Sequence, residues 1–486
     1  MQNKVQLITY VDRLGCDNIS ELNALLQTEL KGLFGGVHIL PFFTPIDGQD
    51  AGFDPIDHTR IDPRIGDWDD LRQVSGHTDI MADMIVNHIS AESVQFQDYL
   101  QRGKASEFYD LILTEDKVFP HGPTQEELAK IYRPRPGLPF TRFTLSDGTE
   151  KNVWTTFTPN QIDIDVRSEQ GKKYLDAILR VFQGAGVSMV RLDAVGYAIK
   201  KAGTSCFMID ETFDFIASIG EKARRMGISV LVEIHSHYKT QIEIAKRVDY
   251  VYDFALPVLV LDTLFNRNAS NLKKWLHVAP RNVITVLDTH DGIGIVDVAS
   301  EGGKAGLIED GALGRIVDKI HGNSKGTSRR ATGGSASNLD LYQVNCTYFE
   351  ALGRSEKSYL MARAIQFFVP GVPQVYYVGL FGVGNDMELL EKTNVGRDIN
   401  RHYFTKREIS ERVDSEFFDR FRKLMLLRND HPAFDGVFEM METPSYTLHL
   451  KWSNSGDWAE LFIDLEAMEM RIRFSRKGKA AELKLW

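Results

Sequence analysis

The sequence predicts an α/β protein built on a closed (β/α)8 barrel. Eight short runs rich in β-branched and apolar residues recur along the chain, and amphipathic segments such as 174–183 and 212–226 separate several of them. Strands that alternate with helices form a parallel sheet, and eight such strands close into a TIM barrel. An open, doubly wound sheet is the alternative. The runs are VQLITYV (5–11), GVHILPFF (36–43), IMADMIVNH (80–88), VSMVRLDAV (187–195), ISVLVEIH (228–235), YVYDFAL (250–256), NVITVLDTH (282–290) and VPQVYYVG (372–379).

The spacing of the runs predicts two inserted subdomains and a small C-terminal β domain. Roughly 100 residues separate the third run from the fourth, which is more than one crossover connection needs. The gap after the seventh run contains GTSRRATGGSASN (326–338), whose small residues predict a mobile loop. Short alternating segments such as YTLHLKW (446–452) predict strands in the last part. The predicted barrel segments are 1–87, 168–292 and 355–433, the inserted subdomains are 88–167 and 293–354, and the C-terminal domain is 434–486.

Composition excludes several classes of function. The chain has 486 residues and a formal net charge of −10, and it has no basic cluster long enough for nucleic-acid binding. Its three cysteines lack CxxC spacing, so neither a zinc site nor a disulfide framework is predicted. The N-terminal segment lacks the apolar core of a signal peptide, and no stretch of about 18 apolar residues occurs. We therefore expect a cytoplasmic protein that binds neither nucleic acid nor membranes.

Polar residues at the ends of the predicted strands are the candidates for a functional site, because barrel active sites form at the carboxyl ends of strands. Taken singly, each has a structural explanation: an aspartate there caps a helix, and a histidine satisfies a hydrogen bond. Taken together, the carboxylates converge on one barrel mouth, and burying such a cluster without a task is costly. These residues are Asn87 and His88, Arg191 and Asp193, Glu233 and His235, His290 and Asp291, and Asp50 in the loop after the second run.

Two carboxyl groups with different protonation states are what glycoside transfer requires. Arg191 and Asp193 lie two positions apart on one strand and point to the same side, so the guanidinium is expected to lower the pKa of Asp193 and keep it ionised. Glu233 follows apolar residues and is the candidate acid and base. Asp291 is the candidate for stabilising positive charge in the transition state.

Four motifs resemble the strand-end signatures of the α-amylase superfamily, glycoside hydrolase family 13. They are DMIVNH (83–88), VRLDAVGY (190–197), LVEIH (231–235) and LDTHDG (287–292). Longer segments resemble the sucrose phosphorylases within that family, in collinear order from residue 4 to about residue 430. They are GVHILPFFTPIDGQDAGFDPIDHT (36–59), IYRPRPGLPFT (131–141), ASNLDLYQVN (336–345), PGVPQVYYVGL (370–380) and GRDINRHY (396–403).

The resemblance implies a retaining double displacement. Sucrose and inorganic phosphate would give α-D-glucose 1-phosphate and D-fructose through a covalent glucosyl ester. Asp193 matches the nucleophile, Glu233 the acid and base, and Asp291 the transition-state stabiliser. Asp50 with Arg397 would close the blind end of the pocket. The predicted substrate-binding residues are Asp50, Phe53, His88, Tyr132, Arg135, Phe157, Arg191, Tyr197, His290, Asp340, Leu341, Tyr342, Gln343 and Arg397.

Phosphate binding is assigned to Arg135, because a guanidinium grips phosphate with paired hydrogen bonds. The resemblance also implies a loop that exchanges a fructose-binding state, contacted by Asp340, for a phosphate-binding state. GVGNDM (382–387) lacks the GxGxxG spacing, so no nucleotide cofactor is predicted. The resemblance further implies neither a cofactor nor a metal, and it is compatible with a homodimer.

Three alternatives remain open from the sequence. A related phosphorylase would use another acceptor and act on glucosylglycerol, glucosylglycerate or sucrose 6′-phosphate. A hydrolase would release glucose from sucrose or short α-glucosides. A barrel without catalytic activity, serving as a transporter subunit or a binding module, would be expected to have lost the three carboxylates that this chain keeps.

Overall fold

A closed barrel of eight parallel strands forms the centre of the protein, seen in a computed structural model that describes residues 1–133, 135–332, 343–476 and 478–486. Each predicted run supplies one barrel strand, each strand pairs with the next along the chain, and the last pairs with the first. The predicted fold class is confirmed. The barrel strands are β1 (Gln6–Thr9), β2 (Gly36–Ile39), β3 (Asp79–Ile85), β4 (Val187–Asp193), β5 (Ser229–Val232), β6 (Tyr250–Asp253), β7 (Val283–Thr285) and β8 (Val372–Tyr376).

Helices cover the outside of the barrel, so the strands are buried on both faces and read as nearly continuous apolar runs. Polar caps in the sequence fix where several helices start. Ser168 accepts a hydrogen bond from Gly171 N, and Asp67 forms a capping box with Asp70. The helices that pack around the barrel are Ile19–Gln27, Trp68–Ser75, Glu169–Gly184, Asp210–Arg225, Tyr238–Ala245, Leu256–Asn266, Ser270–Val278, Glu356–Phe368 and Glu416–Asp430.

The segment between β3 and β4 carries structure of its own above the barrel mouth. Strand Phe140–Thr144 pairs with Glu150–Trp154, and strand His88–Ser90 pairs with Gln161–Asp163. The second pairing returns the segment to the carboxyl end of β3. It thereby holds the far end of the segment next to His88.

The segment between β7 and β8 differs in part from the prediction. Residues 326–338 were expected to be a mobile loop, but Thr327–Thr332 forms a short helix. Asn345 N donates to Thr332 Oγ1 at 2.9 Å, which holds the end of this helix against the chain that follows. Residues 333–338 lie outside the described part of the chain. The predicted subdomain boundaries stay predictions.

An antiparallel sheet of five strands follows the barrel. Trp452 joins it to the barrel helix Glu356–Phe368, because the indole Nε1 donates to the carbonyl oxygen of Phe368 at 2.7 Å. The ring of Phe434 packs edge-on against Phe368 at 5.1 Å. Among the described residues, no helix has the length and apolar character needed to cross a membrane. The strands of this sheet are β9 (Val437–Met440), β10 (Thr447–Asn454), β11 (Asp457–Asp464), β12 (Glu469–Arg476) and β13 (Lys479–Leu483).

Replacing Trp452 tests how the second sheet is attached. In Trp452→Phe the carbonyl of Phe368 loses its buried donor, so we expect the free energy of unfolding to fall by about 1–3 kcal/mol. Urea denaturation followed by circular dichroism measures the loss. Trp458→Phe, on the adjacent strand and only half-buried, serves as the control. Equal effects of the two substitutions would contradict this account.

Candidate active site

A pocket at the carboxyl ends of the barrel strands gathers most of the predicted site residues. All three predicted catalytic carboxylates line it, and so do all the described substrate-binding candidates except Tyr132. The lining consists of Asp50, Phe53, His88, Arg135, Phe157, Gln161, Arg191, Asp193, Ala194, Tyr197, Glu233, His235, His290, Asp291, Gln343 and Arg397.

Asp193 is held by a buried chain of charged groups that runs through the barrel. Arg191 Nη1 donates to Asp193 Oδ1 at 2.9 Å and to Asp83 Oδ1 at 2.5 Å. The other oxygen of Asp83 lies 2.9 Å from His38 Nε2. Burial raises the pKa of Asp83, but His38 and Arg191 outweigh it and lower that pKa to about 2. Asp83 therefore stays ionised and fixes Arg191.

The pKa of Asp193 corrects the expectation from the sequence. Arg191 does act to lower this pKa, but burial outweighs it, and the nearby charge of Glu233 adds to the effect of burial. The result is that the pKa of Asp193 is raised to about 8. The prediction that Arg191 would keep this pKa low was wrong, because a sequence does not show how deeply the carboxyl is buried. Carboxyl groups that interact this closely titrate as a unit, so the pocket retains a proton near neutral pH.

Glu233 lies between two basic groups. Its Oε2 is 3.8 Å from Arg191 Nη2, and its Oε1 is 3.7 Å from His235 Nε2. The other ring nitrogen of His235 lies 2.9 Å from Asp297, a fully buried carboxylate. Burial opposes charge on His235, but Asp297 outweighs it and raises the pKa of His235 above its usual value. Glu233 therefore faces a histidine whose pKa is higher than usual.

Asp291 and Asp50 share one guanidinium. Arg397 Nη1 lies 2.9 Å from Asp291 Oδ1 and 3.3 Å from Asp50 Oδ2. Burial raises the pKa of Asp291, but Arg397 outweighs it with the help of other basic groups and keeps that pKa well below its usual value. Arg401 Nη2 also reaches Asp50, at 3.4 Å. The pairing of Asp50 with Arg397 that the resemblance implied is present in the structure.

Two carboxylates depend on an unusual local backbone. Asp50 adopts a left-handed conformation with φ of 50°, and Ala51 follows with φ of 57°. Ala194, directly after Asp193, also has a positive φ, of 54°. Such conformations cost about 1–3 kcal/mol each and cluster at functional sites. Here they turn the chain sharply at the pocket.

Aromatic rings form the remaining walls. The ring of Phe53 stacks on His290 at 5.0 Å, and burial lowers the pKa of His290 to about 3, so this histidine is neutral at pH 7. Phe157 packs against Tyr197 at 5.1 Å. Tyr132 stacks on Tyr197 at 6.2 Å and is 42% exposed, and it is not among the residues that line the pocket.

Arg135 and Gln343 come from the two segments predicted to bind the acceptor. Arg135 is largely buried, and burial together with the charge of Arg397 lowers its pKa. Gln343 Nε2 lies 3.2 Å from His235 Nε2, and its Oε1 accepts from Gly292 N at 3.3 Å. The predicted residues Asp340, Leu341 and Tyr342 lie outside the described residues.

Glu233, His235 and Asp291 each place a potential metal-ligand atom within 4.8 Å of the others. Their surroundings oppose a cation at this position. Arg397 already neutralises Asp291, and Arg191 lies beside Glu233. A metal ion would therefore bind close to two guanidinium groups.

Sequence reasoning missed several groups in or behind the pocket. His235 was noticed as a strand-end residue but was not assigned to the site, and Gln161, 3.1 Å from His88 Nε2, gave no signal at all. Asp83 was detectable as an isolated acidic residue inside an apolar strand. Arg401 lies four positions after Arg397, and its role depends on a turn that the sequence does not show.

Comparisons with known proteins identify the family of this chain. Residues 30–275 match the α-amylase catalytic domain. A sucrose phosphorylase from Agrobacterium vitis is 58% identical over 98% of both chains. The chain belongs to the sucrose phosphorylase branch of the α-amylase family.

Two further comparisons support placement in the sucrose phosphorylase branch. A sucrose phosphorylase from Bifidobacterium adolescentis is 51% identical, in an alignment that covers 95% of this chain and 92% of that protein. The crystal structure of a sucrose 6F-phosphate phosphorylase from Thermoanaerobacter thermosaccharolyticum superposes with a TM-score of 0.91 at 39% identity, covering 99% of this chain and 97% of that one. Membership of this branch makes the chain an enzyme of the glycosyltransferase class.

The raised pKa of Asp193 predicts a pH-dependent cost in stability. The unfolded chain loses this proton near pH 4 and the folded protein only near pH 8, so the contribution of Asp193 to stability declines as the pH rises between these values. Asp193→Asn removes the decline. At each pH the free energy of unfolding of Asp193→Asn is compared with that of the native chain. We expect this difference to favour the variant by at least about 1 kcal/mol more at pH 8 than at pH 5.

Calorimetry of the ligand-free proteins at the two pH values measures this difference. Asp110→Asn, at an exposed position, provides the control and should show the same small effect at both. A gain from Asp193→Asn that does not change with pH would show that the folded pocket retains no extra proton in this range.

Proposed function

We propose that the protein converts sucrose and inorganic phosphate to α-D-glucose 1-phosphate and D-fructose with retention of configuration. The observation that carries the proposal is the position of Asp193, held by Arg191 at 2.9 Å in a pocket that also contains Glu233 and Asp291. Relatives at 58% and 51% identity carry the same activity in their names. Retaining transfer through paired carboxyl groups is the chemistry that fits this arrangement.

In the first step an oxygen of Asp193 attacks the anomeric carbon of the glucosyl unit. The bond to the fructosyl oxygen breaks, and Glu233 gives its proton to that oxygen, so fructose leaves as a neutral alcohol. A glucosyl ester of Asp193 remains. In the second step phosphate gives a proton to Glu233 and attacks the same carbon, which releases the ester and restores the original configuration.

Both steps require one proton on the pair formed by Asp193 and Glu233. The raised pKa of Asp193 supports the presence of that proton near pH 7. Arg191 lies 2.9 Å from Asp193 but 3.8 Å from Glu233, so its charge acts more strongly on Asp193 and favours the ionised form of that carboxyl group. The proposed first step begins from the state in which Asp193 is ionised.

Asp291 stays negative throughout the cycle because Arg397 and other basic groups hold its pKa low. A permanent negative charge in this part of the pocket favours the positive charge that develops on the sugar ring in the transition state. Asp50 contacts the same guanidinium. We assign these three residues to one glucosyl unit, with Asp50 and Arg397 at its blind end.

Arg135 is the group we assign to phosphate. It lines the pocket together with Arg397, and each guanidinium raises the electrostatic energy of the other. A phosphate dianion that contacts Arg135 relieves this repulsion. Water cannot do so, which gives phosphate an advantage over water as the acceptor.

A related phosphorylase with another acceptor is the second candidate, since the solved relative at 39% identity is named for sucrose 6F-phosphate. A sugar-phosphate acceptor needs basic groups beyond those that bind free phosphate. Among the described pocket residues, Arg135 is the basic group that comes from the predicted acceptor segments. This favours fructose as the acceptor in the reverse reaction.

The decisive assay measures products from sucrose with and without phosphate. We expect glucose 1-phosphate to form in phosphate, with free glucose as a minor product. Free glucose released at the same rate under both conditions would contradict the proposal and favour a hydrolase. In the reverse direction, faster consumption of glucose 1-phosphate with glycerol, glycerate or fructose 6-phosphate than with fructose would identify the related phosphorylases.

Arg135→Ala separates phosphorolysis from hydrolysis. Losing the charged hydrogen bonds to phosphate should lower the rate of phosphorolysis about 10- to 100-fold, while hydrolysis of sucrose in the absence of phosphate changes little. Product analysis by chromatography measures both rates. Arg142→Ala, an exposed arginine of the same subdomain, is the control. Equal loss of both reactions would remove Arg135 from the phosphate role.

A further inference from the structure

Lys200 is a buried cation beside the pocket that the proposed reaction does not use. Its side chain is 1% exposed, and its Nζ lies 2.5 Å from Asp163 Oδ2 and 2.6 Å from Asn87 Oδ1. It also donates to the backbone oxygen of Tyr197. The ammonium thus lies beside three oxygen atoms from three separate segments of the chain.

Each of these oxygen atoms belongs to a segment that carries part of the pocket wall. Asn87 directly precedes His88, at the end of β3. Tyr197 itself lines the pocket and follows the strand that carries Asp193. Asp163 lies opposite His88 in the strand pairing that closes the inserted segment. Lys200 therefore joins the inserted segment to the nucleophile-bearing loop.

Asp163 extends the connection to the aromatic wall. Its Oδ1 accepts from Thr156 N at 3.0 Å and its Oδ2 accepts from Thr156 Oγ1 at 2.5 Å. Thr156 directly precedes Phe157, whose ring packs at 5.1 Å from Tyr197 and at 5.6 Å from His88. Phe157 thus contacts both His88 and Tyr197, and each segment that carries one of these three side chains is tied to Lys200.

We propose that Lys200 is a positioning residue for this wall, formed by His88, Phe157 and Tyr197. A buried ion pair contributes little net stability compared with apolar residues of the same volume, so stability alone does not explain its presence. A fully satisfied polar network instead fixes one arrangement of the groups attached to it. The proposal rests on the proposed function, because the wall is assigned to the sugar substrate.

Lys200→Ala tests the proposal through chemical rescue. We expect kcat/KM for phosphorolysis of sucrose to fall about 100-fold, the effect of displacing positioning groups by about 1 Å. Propylammonium contains the three carbons and the nitrogen that the substitution removes. Added to the variant, it should restore kcat/KM at least tenfold, whereas 1-propanol, or sodium chloride at equal ionic strength, should not.

Lys201→Ala is the matched control. The side chain of Lys201 is 55% exposed and pairs with Glu211 at the surface, so this variant should keep native kcat/KM and show no response to propylammonium. The native chain is assayed in parallel. A native chain without phosphorolytic activity would defeat the proposed function, whereas an active native chain with an equally active Lys200→Ala would defeat the role of Lys200.

A second variant covers the case in which Lys200→Ala does not fold. Lys200→Met combined with Asp163→Asn removes both buried charges and leaves neither unpaired. Circular dichroism should show a native fold, and kcat/KM should fall by a similar factor without rescue by propylammonium. Native kcat/KM in this variant would overturn the proposal, and so would a loss in Lys200→Ala that 1-propanol restores as well as propylammonium does.

Discussion

Charge balance inside a buried pocket is the constraint on which the rest of the structure depends. Four carboxyl groups line this pocket together with three guanidinium groups and His235, and Arg401 reaches Asp50 from behind it. Ionised carboxyl groups that lie close together in a space that water solvates poorly are costly, so the pocket favours a proton shared between carboxyl groups. Burial and the nearby charge of Glu233 raise the pKa of Asp193, so the pair formed by these two residues holds the proton. Arg191 acts in the opposite direction and favours the ionised form of Asp193. A retaining transfer needs this one shared proton.

The barrel fold brings the charged groups of the pocket together. The carboxyl ends of β4, β5 and β7 bring Asp193, Glu233 and Asp291 to one mouth, although the chain separates them by tens of residues. The supporting charges come from elsewhere: Asp83 from β3, and Arg397 from the turn Gly396–Asn400 after β8. Because all eight barrel strands run in the same direction, their carboxyl ends meet at one mouth, so this convergence follows from the topology.

Most of the fold was predictable from the sequence, because parallel strands buried on both faces leave continuous apolar runs that are easily seen. The strand-end residues of the site were predictable for the same reason, since their position follows from the topology. The pKa of Asp193 was not, because the competition between burial and Arg191 depends on depth within the folded pocket. The helix Thr327–Thr332 was also missed, because the small residues of this segment predict a loop. Contacts with distant residues, such as the hydrogen bond from Asn345 N to Thr332, stabilise the helix instead. Lys200 gave no signal, because its three oxygen partners meet only in the folded chain.

The identity of the nucleophile is the central claim, and covalent trapping tests it most directly. A 2-deoxy-2-fluoro-glucosyl fluoride forms the glucosyl ester faster than the ester breaks down, so the intermediate accumulates. Mass spectrometry of the intact protein should show one added fluoroglucosyl unit, and peptide mapping should place it on Asp193. A label on another side chain, or none in a protein that turns over sucrose, would contradict the account.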